Sequence, residues 1–236
     1  MTGTIINVIT VLVGGALGLM LGNRLPEQLK STVVAGLGLF TLGYGIISFG
    51  GSHNQLVVLG AILVGALLGE WWQIETGLRR LGGWLEARFA RGSAGEGDNR
   101  FVRGFLTASL VFCVGPMAIL GSIEDGLTGN YQTLAVKSVL DGFGALAFAS
   151  TLGVGVLFST LIILVYQGGI SLLAAQAQTS ITPDMMTEMT AAGGIILLAI
   201  AIGSLLEIRP IRSGNFLPAL IIAPLLVLVF QALGIY

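Results

Sequence analysis

Residues 101–153 read FVRGFLTASLVFCVGPMAILGSIEDGLTGNYQTLAVKSVLDGFGALAFASTLG, and the reading of this stretch decides both the fold class and the place to look for a site. It contains two apolar segments, and each is interrupted by residues that hydrocarbon does not tolerate: Gly115–Pro116 in the first, Lys137, Ser138 and Asp141 in the second. A charge at membrane depth costs roughly 2.5–3.5 kcal/mol even on a lenient scale, so such groups face a protein interior or a water-filled cavity. Lys137 and Asp141 are spaced i, i+4 on one helix face, where they can pair. Gly142 and Gly144 leave that face open to close approach. Pro116 lacks a backbone N–H and disturbs the carbonyl one turn earlier, which is tolerated at depth only where the freed groups find protein, ions or water. A broken helix near Gly115–Pro116 is therefore expected, of the kind that recurs at transporter binding sites.

Working outward, the rest of the chain is equally apolar. Of 236 residues, 54% are hydrophobic and 10% charged, against a soluble norm of about 25% charged. Mean hydropathy is +0.92. These values indicate an integral membrane protein, with residues 1–236 forming a single domain. A net charge of −1 argues against nucleic acid as a partner, because phosphate neutralisation needs a clustered basic surface. Cys113, the one cysteine, cannot form an internal disulfide and reads as a small buried hydrophobe. His53 is likewise alone, which excludes a histidine-cluster metal site. No nucleophile–base constellation, metal-ligand cluster or nucleotide motif is present, so the chain is not read as an enzyme and no cofactor is expected.

Apolar segments of membrane-crossing length fall at Gly3–Leu21, Thr32–Phe49, Gln55–Trp72, Phe101–Leu120, Thr133–Ser150, Thr151–Ala175, Pro183–Leu206 and Phe216–Ile235. The fifth and sixth divide at the small-residue run Ser150–Gly155. The first has no basic region before it and full helix length, so it is expected to be retained rather than cleaved. Basic residues concentrate in alternate connections: Arg24 and Lys30; Arg79, Arg80, Arg88, Arg91, Arg100 and Arg103; Arg209 and Arg212. The positive-inside rule makes these connections cytoplasmic and puts both termini outside. About eight transmembrane helices in an all-α polytopic fold is the resulting expectation, and Lys137 is the basic residue that falls outside the pattern.

Between the third and fourth helices, Ile74, Leu78, Leu81, Leu85 and Phe89 recur at helical spacing opposite Arg79, Arg80, Glu86 and Arg88. That pattern predicts an amphipathic helix in the cytoplasmic interface, with Trp71, Trp72 and Trp84 at headgroup level. The following GSAGEGD reads as a flexible linker, so the segment 73–100 could join sub-bundles 1–72 and 101–236. Small-residue ridges, Gly14-x3-Gly18-x3-Gly22 and Gly65-x3-Gly69, permit close helix packing within the chain or a homodimer. Glu124 and Asp125 fall in a predicted outer loop, GSIEDGLTGNYQ, where adjacent acids either attract a cation or are simply solvated. Gln167, inside the sixth helix, needs a partner and is a candidate for lining a polar path. Thr182–Pro183–Asp184 has the signature of a helix start, and recurrent Gly–Ala–Leu stretches suggest a faint repeat of helix pairs.

The segment VFCVGPMAILGSIEDGL, then Lys137–Ser138–Val139–Leu140–Asp141–Gly142 and Val165–Tyr166–Gln167–Gly168, resembles the bacterial family called domain of unknown function 554 (YqgA/YdfK-like). The resemblance extends to Gly3–Thr4–Ile5–Ile6–Asn7 and Phe216–Leu217–Pro218–Ala219–Leu220. It implies a multi-pass protein of the bacterial plasma (inner) membrane and no particular activity.

Residues and composition together point to a small transporter or channel for an ion or small polar solute, H⁺ and Na⁺ among them, with its polar path at the Gly115–Pro116 break and the Lys137/Asp141 face. Buried ionisable groups in a membrane bundle commonly mark such paths. The alternative is a non-transporting scaffold or sensor acting through the cationic cytoplasmic loop.

Overall fold

The computed structural model describes residues 1–22, 26–89, 98–113, 116–174 and 181–234. Among them every regular element is a helix: α1 (Thr2–Gly22), α2 (Glu27–Gly50), α3 (Gln55–Trp72), α4 (Ile74–Phe89), α5 (Asp98–Cys113), α6 (Pro116–Thr128), α7 (Gln132–Leu152), α8 (Gly155–Leu172), α9 (Pro183–Ile200) and α10 (Ala219–Ala232). A π-helical turn, Ala201–Leu205, extends α9, and a 3₁₀ turn, Ser213–Phe216, precedes α10. The expected all-α polytopic fold is the one observed. Seven helices among the described residues have the length and apolarity to cross a membrane, and the bent α5–α6 pair makes eight. Arg24, Arg91, Gly115 and most of the GSAGEGD linker lie outside the described residues, as does the side chain of Pro116.

Local chemistry accounts for the boundaries. Pro116 is the first residue of α6, the helix position where a missing N–H costs nothing, and α5 and α6 are inclined by 78°. Gly129 ends α6 at φ +73°, and Gly153 ends α7 at φ +83°; both lie in the left-handed half of conformational space, where a Cβ is penalised. Thr182 caps α9, its hydroxyl accepting from the Met185 N–H at 3.3 Å, with Pro183 first in the helix as expected.

Two compact units interleave along the chain, one made of residues 1–36 and 78–179, the other of residues 37–77 and 180–236. In the first, α1 lies along α7 and touches α8. A Cβ on Gly14, Gly18 or Gly22 would land on the carbonyl of Gly142, Leu146 or Ser150 respectively, so the ridge is filled by the chain's own backbone. Both series rise in steps of four, hence α1 and α7 run parallel. The outward face of α1 is apolar, with Ile5, Ile9, Val13 and Leu17 exposed, while Asn7 is wholly buried. Such an inversion of soluble-protein polarity suits a lipid surround.

The α5–α6 pair traverses the full length of the α7–α8 hairpin. At one end Arg100 donates to the Thr151 carbonyl at the close of α7, at 2.9 and 3.2 Å. At the other, Glu124 accepts from Thr133 at the start of α7, at 2.8 Å. The pair thus touches both ends of the hairpin, as a bent crossing requires. The amphipathic α4 turns Leu85 into a buried cluster with Phe101 and Phe105, leaving Leu81 and Trp84 exposed.

In the second unit, α3 packs on α10 and α9, around Val58, Ala61, Ala191, Ala192, Ala219 and Ala223. Its ridge, Gly65 and Gly69, sits on Ala219 and Asn215. Here one series rises while the other falls, so α3 and α10 are antiparallel.

Candidate functional site

The two interrupting charges come together as their spacing predicts. Lys137 and Asp141 on α7 form a salt bridge, at 6% and 8% exposure. The carboxylate also accepts from Asn7 Nδ2 on α1 at 2.9 Å, and the same amide nitrogen reaches Gln167 Oε1 on α8 at 3.3 Å. Three helices therefore meet at one polar cluster. The ridge makes this possible, because only glycine at positions 14 and 18 brings α1 close enough for the short Asn7 side chain to reach α7. The end of α5 packs on α7 close to the pair: a Cβ on Gly144, three residues after Asp141, would lie 3.2 Å from the Phe112 ring, and Cys113, the last residue of α5, is buried.

The hydrogen-bond inventory of the cluster is incomplete. Asp141 accepts at Oδ2 and thus holds the Asn7 nitrogen toward itself, which turns Asn7 Oδ1 away. That oxygen has no partner among the described residues, nor has Gln167 Nε2, although both side chains are fully buried. Buried polar groups are normally satisfied, so a pair left over in one cluster calls for a ligand or water.

A second polar layer lies toward the start of α1. Asp125 Oδ2 accepts from the Gly3 N–H at 3.0 Å and pairs with the Met1 amino group, also at 3.0 Å. It thereby satisfies donors at a helix N-terminus, where negative charge is favoured. Asp125 Oδ1 and Thr4 Oγ1 are buried without partners among the described residues. On α8, Ser171 donates to the Ser122 carbonyl of α6 at 2.9 Å.

The remaining candidates divide. Glu124 and Asp125 are not in a loop: α6 continues to Thr128, because no residue before Gly129 breaks it. Glu124 accepts from Asn130 Nδ2 at 3.0 Å and from Thr133, tying the turn that leads into α7. Ser138 is buried but spends its hydroxyl on the Leu134 carbonyl of its own helix, at 2.6 Å. Gln167 finds its partner in Asn7, a residue that the site reading omitted. Its signal was present, since Asn7 is the one amide or charged residue in the Gly3–Leu21 segment. Gly115 lies outside the described residues, and of Pro116 only the backbone is described.

Compared with known proteins, residues 2–228 match the family described as protein of unknown function (DUF554). The chain is 33% identical over 221 residues to the uncharacterized protein YqgA of Escherichia coli (strain K12), covering 94% of each. It is 28% identical over 239 residues to the uncharacterized membrane protein YdfK of Bacillus subtilis (strain 168), covering 100% of this chain and 99% of the relative. No solved structure matches.

Proposed function

We propose, for a chain that belongs to the DUF554 family, that its first unit carries a path through the bacterial inner membrane for an ion or small polar solute. The path runs from the Asp125 and Thr4 layer to the Asn7–Lys137–Asp141–Gln167 cluster beside the α5–α6 break. The observation that carries this reading is the cluster itself, an ion pair and two amides buried among membrane-length helices. Stability alone is a poor reason to keep it, since a well-packed apolar replacement of a buried ion pair is often neutral or stabilising. Ionisable groups at this depth are instead typical of pathways and relays.

The test is flux in proteoliposomes across a panel of ions and small polar solutes. The wild-type protein should conduct at least one of them above protein-free vesicles, and the double variant Lys137→Met/Asp141→Leu should fold and conduct none. A folded double variant with wild-type flux would reduce the pair to architecture.

A second reading, a scaffold or sensor, is supported by the outward face of α4, where Arg80, Trp84 and Arg88 are exposed. It requires a stable cytoplasmic partner that is lost when Arg79, Arg80 and Arg88 are neutralised, in a protein with no measurable flux.

A further inference from the structure

The balance of charge and hydrogen bonds in the cluster restricts what it can bind. Lys137 and Asp141 neutralise each other, so the cluster has no net charge to offer. Besides the second carboxylate oxygen of Asp141, which takes its bonds from Lys137 and Asn7 at Oδ2, what remains is one carbonyl oxygen, Asn7 Oδ1, and one amide nitrogen, Gln167 Nε2, both on fully buried side chains and unpartnered among the described residues. The two amides are already linked through Asn7 Nδ2 and Gln167 Oε1 at 3.3 Å. The reciprocal bond that would close an amide–amide ring is not made, so the spare acceptor and the spare donor are both left over. Their orientation is set by Asp141: rotating the Asn7 amide would place its oxygen against the carboxylate and lose the 2.9 Å bond.

A bare cation needs a shell of oxygens to replace its hydration. It would find here one free carbonyl and the second oxygen of a carboxylate whose charge Lys137 offsets, short of a full shell. An anion would find one NH₂ group and a lysine whose charge is taken. A neutral group that donates to one atom and accepts from another satisfies both orphans at once, and sites built to pair such a group reject analogues that cannot return the bonds.

Resting on the transport reading above, we infer that the solute recognised between α1, α7 and α8 is small and uncharged, carrying a hydroxyl or carboxamide that donates to Asn7 Oδ1 and accepts from Gln167 Nε2. Asn7 and Gln167 set its specificity, and the Lys137–Asp141 pair holds Asn7 in the required orientation. Thr4 Oγ1, about one turn from Asn7 on α1, and Asp125 Oδ1 continue the row of unsatisfied atoms toward the start of that helix.

The test uses the full chain in proteoliposomes, with re-swelling under urea and glycerol gradients followed by light scattering, and with Na⁺, K⁺ and H⁺ flux read by ion-sensitive dyes. Wild-type vesicles should re-swell several-fold faster than protein-free ones, with ion flux at background. Gln167→Met should return re-swelling to the protein-free rate while circular dichroism and gel filtration show a folded protein. If that variant does not fold, Gln167→Leu, which removes the NH₂ donors and adds no ionisable group, is expected to do the same. Ion flux without solute flux would overturn the inference and leave the transport reading standing. Absence of any flux would overturn both. Accelerated water movement alone, or unchanged re-swelling in a folded Gln167 variant, would also overturn the inference.

Discussion

Helices α1 and α3 carry the same device and do different things with it. Each has a glycine ridge pressed onto another helix's backbone, Gly14, Gly18 and Gly22 on α7 and Gly65 and Gly69 on the segment leading into α10. The N-terminal region of each is held by a carboxylate. Asp125 takes the Gly3 N–H at 3.0 Å, and Glu188, fully buried, takes Ser52 Oγ at 2.7 Å and the His53 and Asn54 N–H groups at 2.8 and 2.9 Å ahead of α3. The difference lies about two turns before the first ridge glycine, where α1 has Asn7 and α3 has Val58. Val58 joins an aliphatic core. Asn7 joins an ion pair and a glutamine. Correspondingly, the buried unpartnered atoms of Thr4, Asn7, Thr107, Ser109, Asp125 and Gln167 all fall in the first unit, and none among the described residues falls in the second. The ridge is thus a packing solution common to both units, while the polar position beside it distinguishes the unit for which a site is proposed.

The comparison is broken most severely at the ion pair. Lys137→Met alone or Asp141→Leu alone leaves a buried charge without its partner, a loss of about 3–5 kcal/mol, whereas the double replacement removes both buried charges together. Thermal unfolding in detergent should show two strongly destabilised single variants and a double variant near wild type. Additive losses would mean that the pair is not coupled.

Next come the ridges. Gly18→Val drives a side chain into the Leu146 carbonyl, at or above the upper end of overpacking costs, about 3 kcal/mol. Gly69→Val should do the same against Asn215. By contrast, Gly36 and Gly43 in α2 face open space, so alanine there should be neutral or stabilising by about 0.5–1 kcal/mol. Equal melting temperatures for the ridge and open-face variants would remove the argument for close packing.

A smaller effect is expected at the second unit's cap. Glu188→Leu strands the donors of Ser52, His53 and Asn54, and hydrogen bonds to charged acceptors are worth about 1.5–3 kcal/mol. The readout is a lowered melting temperature together with faster amide exchange at residues 53–58 and unchanged flux. If flux falls in the folded variant, the site is not confined to the first unit.

The smallest effect on stability and the sharpest on function belong to Asn7→Val, which gives α1 the residue type that α3 has at this position. It removes one unsatisfied oxygen and leaves Asp141 its lysine, but takes the donor away from Gln167 Oε1, so stability should fall by about 1–3 kcal/mol. Flux should nevertheless be lost. A folded Asn7→Val protein with full flux would make the difference between α1 and α3 irrelevant to function.

Much of the molecule is legible before any coordinates are known, because hydrocarbon imposes simple rules. Every backbone group must be satisfied within its own helix, so apolar segments such as Gln55–Trp72 predict helices whose limits the structure reproduces. Pro116 opens α6, after two residues outside the described ones that follow α5, because proline cannot continue a helix ladder. The i, i+4 spacing alone pairs Lys137 with Asp141.

What only the tertiary structure decides is which helices meet. Hydropathy is the same on every apolar helix, so nothing in it tells that α1 joins α7 in parallel while α3 joins α10 antiparallel, or that each unit is assembled from separated stretches of chain. The loop expected at Glu124–Asp125 failed for a related reason. A polar run reads as loop when solvent is assumed, but within a bundle Asp125 is helical and buried, satisfying the start of α1 from 122 residues away. Asn7 was visible as the odd residue in its segment, yet its role depends on meeting Gln167, 160 positions distant. Residue type and local spacing determine which groups need a partner, and long-range packing determines which partner each one gets.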